Sequence, residues 1–197
     1  MARDPNRRQT IISGATQLFL LHGYDGVTID EICAFTKSAK GSFYHVFSSK
    51  EDLAVQLIDA VWHETQTRMA KTFAKEKNPL TRIKDELTYS YTHTHILAGR
   101  SKQFTGCPIG TLSVTLAGKS GKIRKRINFA LNHMRHFYVN AFTDAIDRGD
   151  IKSELDADQL ADLLLVTIQG IGIISRCYNS QAKIRRLVNS IMLAFTH

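Results

Sequence analysis

The stretch from Ala39 to Leu53, AKGSFYHVFSSKEDL, holds residue types that suit an anionic partner. Gly41 and Ser42 are small enough to let the backbone come close to a phosphate, and amides at a helix start bind anions. The Tyr44 hydroxyl can reach a phosphate while its ring packs below, and Lys50 can touch the same backbone from the next helix start. His45 is open between contact and solvation. Phe43 and Phe47 fall on the opposite face and anchor what can only be a very short helix. A second stretch, FTGCPIGTLSVTLAG from Phe104 to Gly118, carries a thiol. Cys107-Pro108 breaks the helical path and leaves that thiol beside free amides. A cysteine at a helix N-terminus has a lowered pKa and is reactive, whereas a buried one is an inert small hydrophobe; both readings stand.

Aromatic and imidazole groups recur farther along. Tyr89, Tyr91, His93 and His95 lie on one helix, and Phe129, His133, His136 and Phe137 on another. Facing aromatics with a few polar groups suit a ligand pocket. His133 and His136 share a helical face, but no cysteine or carboxylate at strong spacing completes a site, so neither a metal nor a cofactor is expected. No Gly-rich phosphate loop, Gly-x-Ser-x-Gly elbow or paired-carboxylate pattern is present. An enzyme using Cys107 as nucleophile and a histidine as base therefore stays only as an alternative.

The elements that must position these groups read as helices throughout. The first runs from about Asn6 to Gly23, with Ile12, Ala15, Leu18, Phe19 and His22 at three-four spacing. Thr28 and Glu31 form a capping box that opens a short second helix. The third runs from about Ala39 to Val46. Ser48-Ser49-Lys50-Glu51 is a further capping box, opening a long helix through Leu53, Leu57, Val61 and Trp62. Later helices span about Leu80 to Leu97, Thr111 to Ala117, Lys122 to Gly149, Asp156 to Cys177 and Ser180 to Phe195. The expected fold is all-α, with about nine helices and no internal repeat. A three-helix helix-turn-helix unit occupies residues 1–50, and a helical ligand-binding and dimerisation unit occupies 51–197.

Composition sets outer bounds. With 197 residues and 43% apolar content, one or two packed units can form. No apolar run reaches the roughly 18 residues of a membrane span, and no secretory signal is visible at the start. Three scattered cysteines suit free thiols in a reducing compartment, so a cytoplasmic protein with no membrane partner is expected. The net charge of +8 permits an anionic partner without proving one. Residues 1–50 carry only +2 (six Lys and Arg less four Asp and Glu), so charge alone does not mark them as a nucleic-acid binder.

Ala15, Phe19, Gly23, Thr28, Ile32, Lys40-Gly41-Ser42-Phe43-Tyr44, Phe47, Ser49-Lys50-Glu51 and Leu53 together resemble the N-terminal part of the TetR/AcrR family of transcriptional regulators. Two departures stand out: Lys37 and Ser38 replace a glycine and an apolar residue in the turn, and Val46 replaces a His or Tyr. Phe104 to Gly118 and IQGIGIISRCYNS, from Ile168 to Ser180, resemble the LmrA/YxaF-like branch. The resemblance implies a repressor that binds a palindromic double-stranded operator as a homodimer and leaves it when a small molecule binds. For that branch the effector is apolar and planar, and the genes serve efflux or detoxification. A cysteine-based electrophile sensor is the alternative, and an architectural DNA protein without a ligand is a third reading. On this basis Thr28, Lys40, Gly41, Ser42, Tyr44, His45 and Lys50 are expected at DNA. Trp62, Tyr89, Phe104, Cys107, Phe137 and Gln169 are expected around the effector, with Gln169 and Arg176 open between pocket and interface. Leu160, Leu164, Ile168 and Ile171, on a helix apolar nearly all round, are expected at the dimer interface.

Overall fold

A computed structural model describes residues 6–92, 107–178 and 180–196, and among these it contains nine helices and no strand. The first four are α1 (Arg7–His22), α2 (Ile29–Phe35), α3 (Lys40–Val46) and α4 (Lys50–Thr72). The rest are α5 (Pro79–Thr92), α6 (Pro108–Leu116), α7 (Gly121–Asp147), α8 (Ala157–Tyr178) and α9 (Gln181–Thr196). Helix α1 buries Ile11, Ile12, Ala15, Phe19 and Leu20 and stops at Gly23. Gly23 takes a left-handed φ of 73° and donates its N–H to the Phe19 carbonyl. Thr28 caps α2 as expected, accepting from the Glu31 amide while its own amide donates to the Glu31 carboxylate.

The cap of α4 is shifted by one residue from the sequence expectation. Ser49, not Ser48, is the cap and accepts from the Asp52 amide. The reciprocal bond runs from the Ser48 amide to the Asp52 carboxylate. Two adjacent serines and two adjacent acids permit either frame, and the frame with Ser49 puts Leu53 and Leu57 into the core. Helix α6 also begins earlier than expected. Cys107 is its N-cap and Pro108 its first residue, a position where proline's missing N–H costs nothing and its fixed φ suits the helix.

One apolar core runs through the molecule. Helix α7 is its axis, packing on α4, α5, α6 and α8 through Ile123, Ile127, Ala130, Met134, Tyr138, Ala141, Phe142 and Ala145. Helix α1 rests on α2, α4 and α6 and so ties the first three helices to the rest. An isolated seven-residue helix such as α3 does not persist in water. Phe43 and Phe47, both fully buried, hold it, and each contributes about 2–3 kcal/mol by leaving water.

One expectation about α8 needs correcting. Leu160, Leu164, Ile168 and Ile171 are buried inside the protomer, where α8 meets α5, α6, α7 and α9, and so are unavailable to a second chain. The apolar residues that α8 leaves in solvent are Leu163, Val166, Ile173, Ile174 and Tyr178, and α9 adds Leu193. In addition, Ala157–Ser175 is long and apolar enough to cross a membrane by length and composition, at a mean hydropathy of 1.4. Here one face of that stretch packs on α7, its first turns are tied by Asp158 and Asp162 to Arg135 of α7, and the other face is open.

Candidate nucleic-acid interface and internal cluster

Helix α3 divides cleanly into an inner and an outer face. Phe43 and Phe47 point inward with ring centroids 5.5 Å apart. Lys40, Gly41, Tyr44 and His45 are exposed. Tyr44 keeps 51% of its surface in solvent while its ring meets the Phe43 ring edge-on. Gly41 is the more telling residue. Glycine inside a helix costs roughly 0.5–1 kcal/mol relative to alanine, yet a Cβ built there meets nothing within 4 Å. Nothing inside the protein therefore requires it, whereas close approach by an outside backbone would.

The remaining expected contacts are partly engaged within the chain. Ser42 accepts a 2.6 Å hydrogen bond from Arg7 of α1. Lys40 forms an exposed ion pair with Asp30 at 2.8 Å. The Thr28 hydroxyl is taken up in the α2 cap. Lys50, expected to reach outward, instead donates to the Tyr24 carbonyl at 2.5 Å and lies 4.2 Å from the centre of the Tyr24 ring. Burial holds its ammonium below the usual lysine range. Lys50 therefore fastens the α1–α2 turn to the start of α4. The turn before α3 is strained at Lys37, which adopts a φ of 51°, a left-handed conformation that glycine takes without steric cost.

A polar cluster lies inside the second part of the chain. Arg68 of α4 forms a bidentate pair with Glu86 of α5, and Tyr138 of α7 donates to the same carboxylate at 3.2 Å. The Arg68 guanidinium lies 3.8 Å from the centre of the Tyr89 ring. Glu86 and Tyr138 are buried, and burial pushes the Tyr138 phenol well above its usual range. Cys107 caps α6 beside this group. Burial raises the pKa of its thiol, offset in part by the Gly110 amide and the Gln169 carboxamide. Apart from that approach to the Cys107 sulfur, the buried Gln169 amide nitrogen has no hydrogen-bond partner among the described residues. A methyl on Gly110 would come within 2.8 Å of the Gln169 carboxamide carbon, so glycine is required there to seat that side chain.

Of the residues expected around an effector, Tyr89, Cys107 and Gln169 fall at this cluster. Trp62 and Phe137 instead pack α4 and its C-terminal end against α7. Trp62 meets Phe129 edge-on at 6.5 Å, and Phe137 meets Phe73 at 5.8 Å. Phe104, His93 and His95 lie outside the described residues. His133 stacks on Phe129 and bonds its carbonyl through Nδ1 at 2.8 Å. Sequence reasoning missed Arg68, Glu86 and Tyr138. The available signal was Glu86, a carboxylate on the same stripe as Ile83 and Leu87, where a charge must find a partner.

Comparison with known proteins agrees with the fold. Residues 11–57 match the family described as bacterial regulatory proteins, tetR family, and residues 89–191 match the tetracyclin repressor-like C-terminal domain. The HTH-type transcriptional repressor DhaR of Mycobacterium sp. (strain GP1) is 30% identical over 170 residues, covering 86% of this chain and 82% of that protein. The HTH-type transcriptional regulator LmrA of Bacillus subtilis (strain 168) is 27% identical over 135 residues, covering 66% and 68% respectively. A solved TetR transcriptional regulator from Chloroflexus aurantiacus superposes with a TM-score of 0.80 at 25% identity, covering 98% of this chain and 95% of that one. A helix-turn-helix presenting the outer face of α3, joined to a helical second part, with family matches over both parts, identifies the chain as a member of the TetR family of transcriptional regulators, not an enzyme.

Proposed function

We propose that this protein is a homodimeric repressor that reads a palindromic operator with α3 and leaves it when a small molecule enters the second part of the chain. Gly41 carries the DNA half of the reading, because it is an exposed helical glycine with open space around it, on the outer face of α3, which leaves room for an external backbone to come close. Tyr44, His45 and Lys40 flank it on the same face. Phosphate contacts of this kind set register, while base edges supply sequence specificity. The apolar faces left open on α8 and α9 supply the twofold contact, and two copies of α3 then meet half-sites about one helical turn apart.

The effector half rests on the cluster of Tyr89, Cys107 and Gln169 with Arg68, Glu86 and Tyr138. A ligand there releases DNA only if it binds the DNA-incompetent arrangement more tightly. Helix α4 is the natural transmitter. It carries Arg68 near one end, and at the other it carries Lys50, which is fastened to the turn before α2. A tenfold to hundredfold loss of operator affinity requires about 1.4–2.8 kcal/mol of coupling. A noncovalent ligand is the better reading, because burial raises the Cys107 thiol pKa and so disfavours the thiolate. Control of efflux or detoxification genes is the accompanying proposal and rests on likeness to the LmrA branch.

The experiment is duplex selection from a random-core pool by the wild-type protein, followed by operator release with planar aromatics and a mild electrophile. Release by aromatics from both wild type and Cys107→Ser supports the noncovalent form. Release by the electrophile alone, abolished in Cys107→Ser, replaces it with thiol sensing. Release by neither removes the effector from the proposal.

A further inference from the structure

The net positive charge of this protein arises in one stretch of its sequence. Between Leu87 and Thr143 the sequence holds eight Lys and Arg residues and no Asp or Glu. The rest of the chain holds 26 − 8 = 18 basic and 18 acidic residues, so the whole net charge of +8 comes from that stretch. Five of the eight, Lys119, Lys122, Arg124, Lys125 and Arg126, crowd the corner between α6 and α7.

The corner abuts the DNA-binding half. Lys119 is ion-paired with Asp25 in the α1–α2 turn, and Arg126 with Asp59 of α4. Gly23, at the end of α1, lies against Thr115 of α6. Asp25 is three residues from Thr28, at most about 10 Å along the chain. Lys122, Arg124 and Lys125 are exposed, and none of the ion pairs among the described residues involves them. The first two turns of α7 thus hold four cations and no acid, an arrangement the helix macrodipole disfavours. Folding alone gives no reason to keep them there. Meanwhile Lys40 and Lys50 are already engaged within the chain, by Asp30 and the Tyr24 carbonyl.

We propose that Lys122, Arg124 and Lys125 form an auxiliary phosphate-binding face that grips duplex DNA flanking the operator half-site. The proposal rests on the DNA-binding reading above and assigns the flank contact to the second part of the chain. Asp25, the ion-pair partner of Lys119, is thus separated from Thr28 by a distance comparable with the Debye length, about 8 Å at physiological salt. The proposal places the three cations on phosphates just outside the half-site. Contacts of this kind add affinity without sequence preference.

The test uses a duplex selected by wild type from a random-core pool. It is prepared once trimmed to the palindrome and once with about ten base pairs of mixed sequence on each side, one helical turn. Affinity is measured against salt for wild type and for the Lys122→Ala, Arg124→Ala, Lys125→Ala triple variant, whose thermal midpoint serves as a folding control. The flanked duplex is expected to bind wild type more tightly than the trimmed one. On the flanked duplex the variant is expected to show a salt slope shallower by about 0.9 per lost contact. On the trimmed duplex the two proteins are expected to match. Equal slopes on the flanked duplex overturn the proposal, as does an equal loss on both duplexes. Failure of wild type to select any duplex refutes the underlying DNA-binding reading instead.

Discussion

Two substitutions two residues apart on α8 separate the protomer core from the proposed twofold contact. Leu164 is 0% exposed and Val166 is 70% exposed. Leu164→Glu places an unpaired carboxylate in the core, costing several kcal/mol, a large share of a typical domain's stability. Val166→Glu leaves the isolated protomer within about 0.5 kcal/mol of wild type. At a twofold interface the same change acts twice. The exposed 70% of a valine is worth about 1 kcal/mol when buried, so two copies forfeit about 2 kcal/mol. Burying two carboxylates costs several kcal/mol more. Dissociation should therefore rise by well over tenfold. Light scattering behind size exclusion, run with a thermal melt, reads both effects. The expected outcome is a folded Val166→Glu monomer and an unfolded or sharply destabilised Leu164→Glu. A Val166→Glu protein that stays dimeric at micromolar concentration, or a Leu164→Glu protein that melts like wild type, refutes the assignment of the two faces.

Three further outcomes follow from local chemistry. Hydrogen bonds from the Gln56 side chain and the Ser48 amide hold the Asp52 carboxyl below its usual range. Its contribution is therefore present above the ordinary carboxylate pKa and is lost as pH falls through the depressed folded value, so the stability gap between wild type and Asp52→Ala should close on acidification in pH-dependent melts. Lys37→Gly relieves a left-handed backbone worth about 1 kcal/mol, and its thermal midpoint should rise, whereas an unchanged or lower midpoint argues against strain in that turn. Gly110→Ala forces the Gln169 carboxamide out of its seat and should impair effector release while leaving operator affinity intact in an anisotropy titration.

The helices were legible because their periodicity and caps are local. Thr28 with Glu31, Gly23, Gly149 and the α7 stripe all act within a turn or two of their own positions. Legibility failed where two local solutions were nearly equal. Ser48 and Ser49 could each cap α4, and Cys107-Pro108 reads equally as a break or as a helix start. Helix α8 failed for a related reason. It is apolar nearly all round, so spacing defines two stripes, one through Leu160 and Leu164 and one through Leu163 and Val166. Only packing on α7 says which is core. The internal cluster was out of reach, because Arg68, Glu86 and Tyr138 meet across 18 and 52 residues. Lys50 was read as a surface cation because nothing local announces that the Tyr24 carbonyl waits for it.

The central claim is that the outer face of α3 lies against DNA, and Gly41→Glu tests it most directly. Open space around Gly41 accepts the new side chain without a clash, and replacing a helical glycine adds up to about 1 kcal/mol of stability. The same carboxylate would stand against a phosphate backbone if α3 binds where proposed. Titration of the selected operator duplex, with a thermal melt of the same samples, should show an equal or higher midpoint together with loss of specific binding. An intact fold that still binds the operator with wild-type affinity would contradict the account.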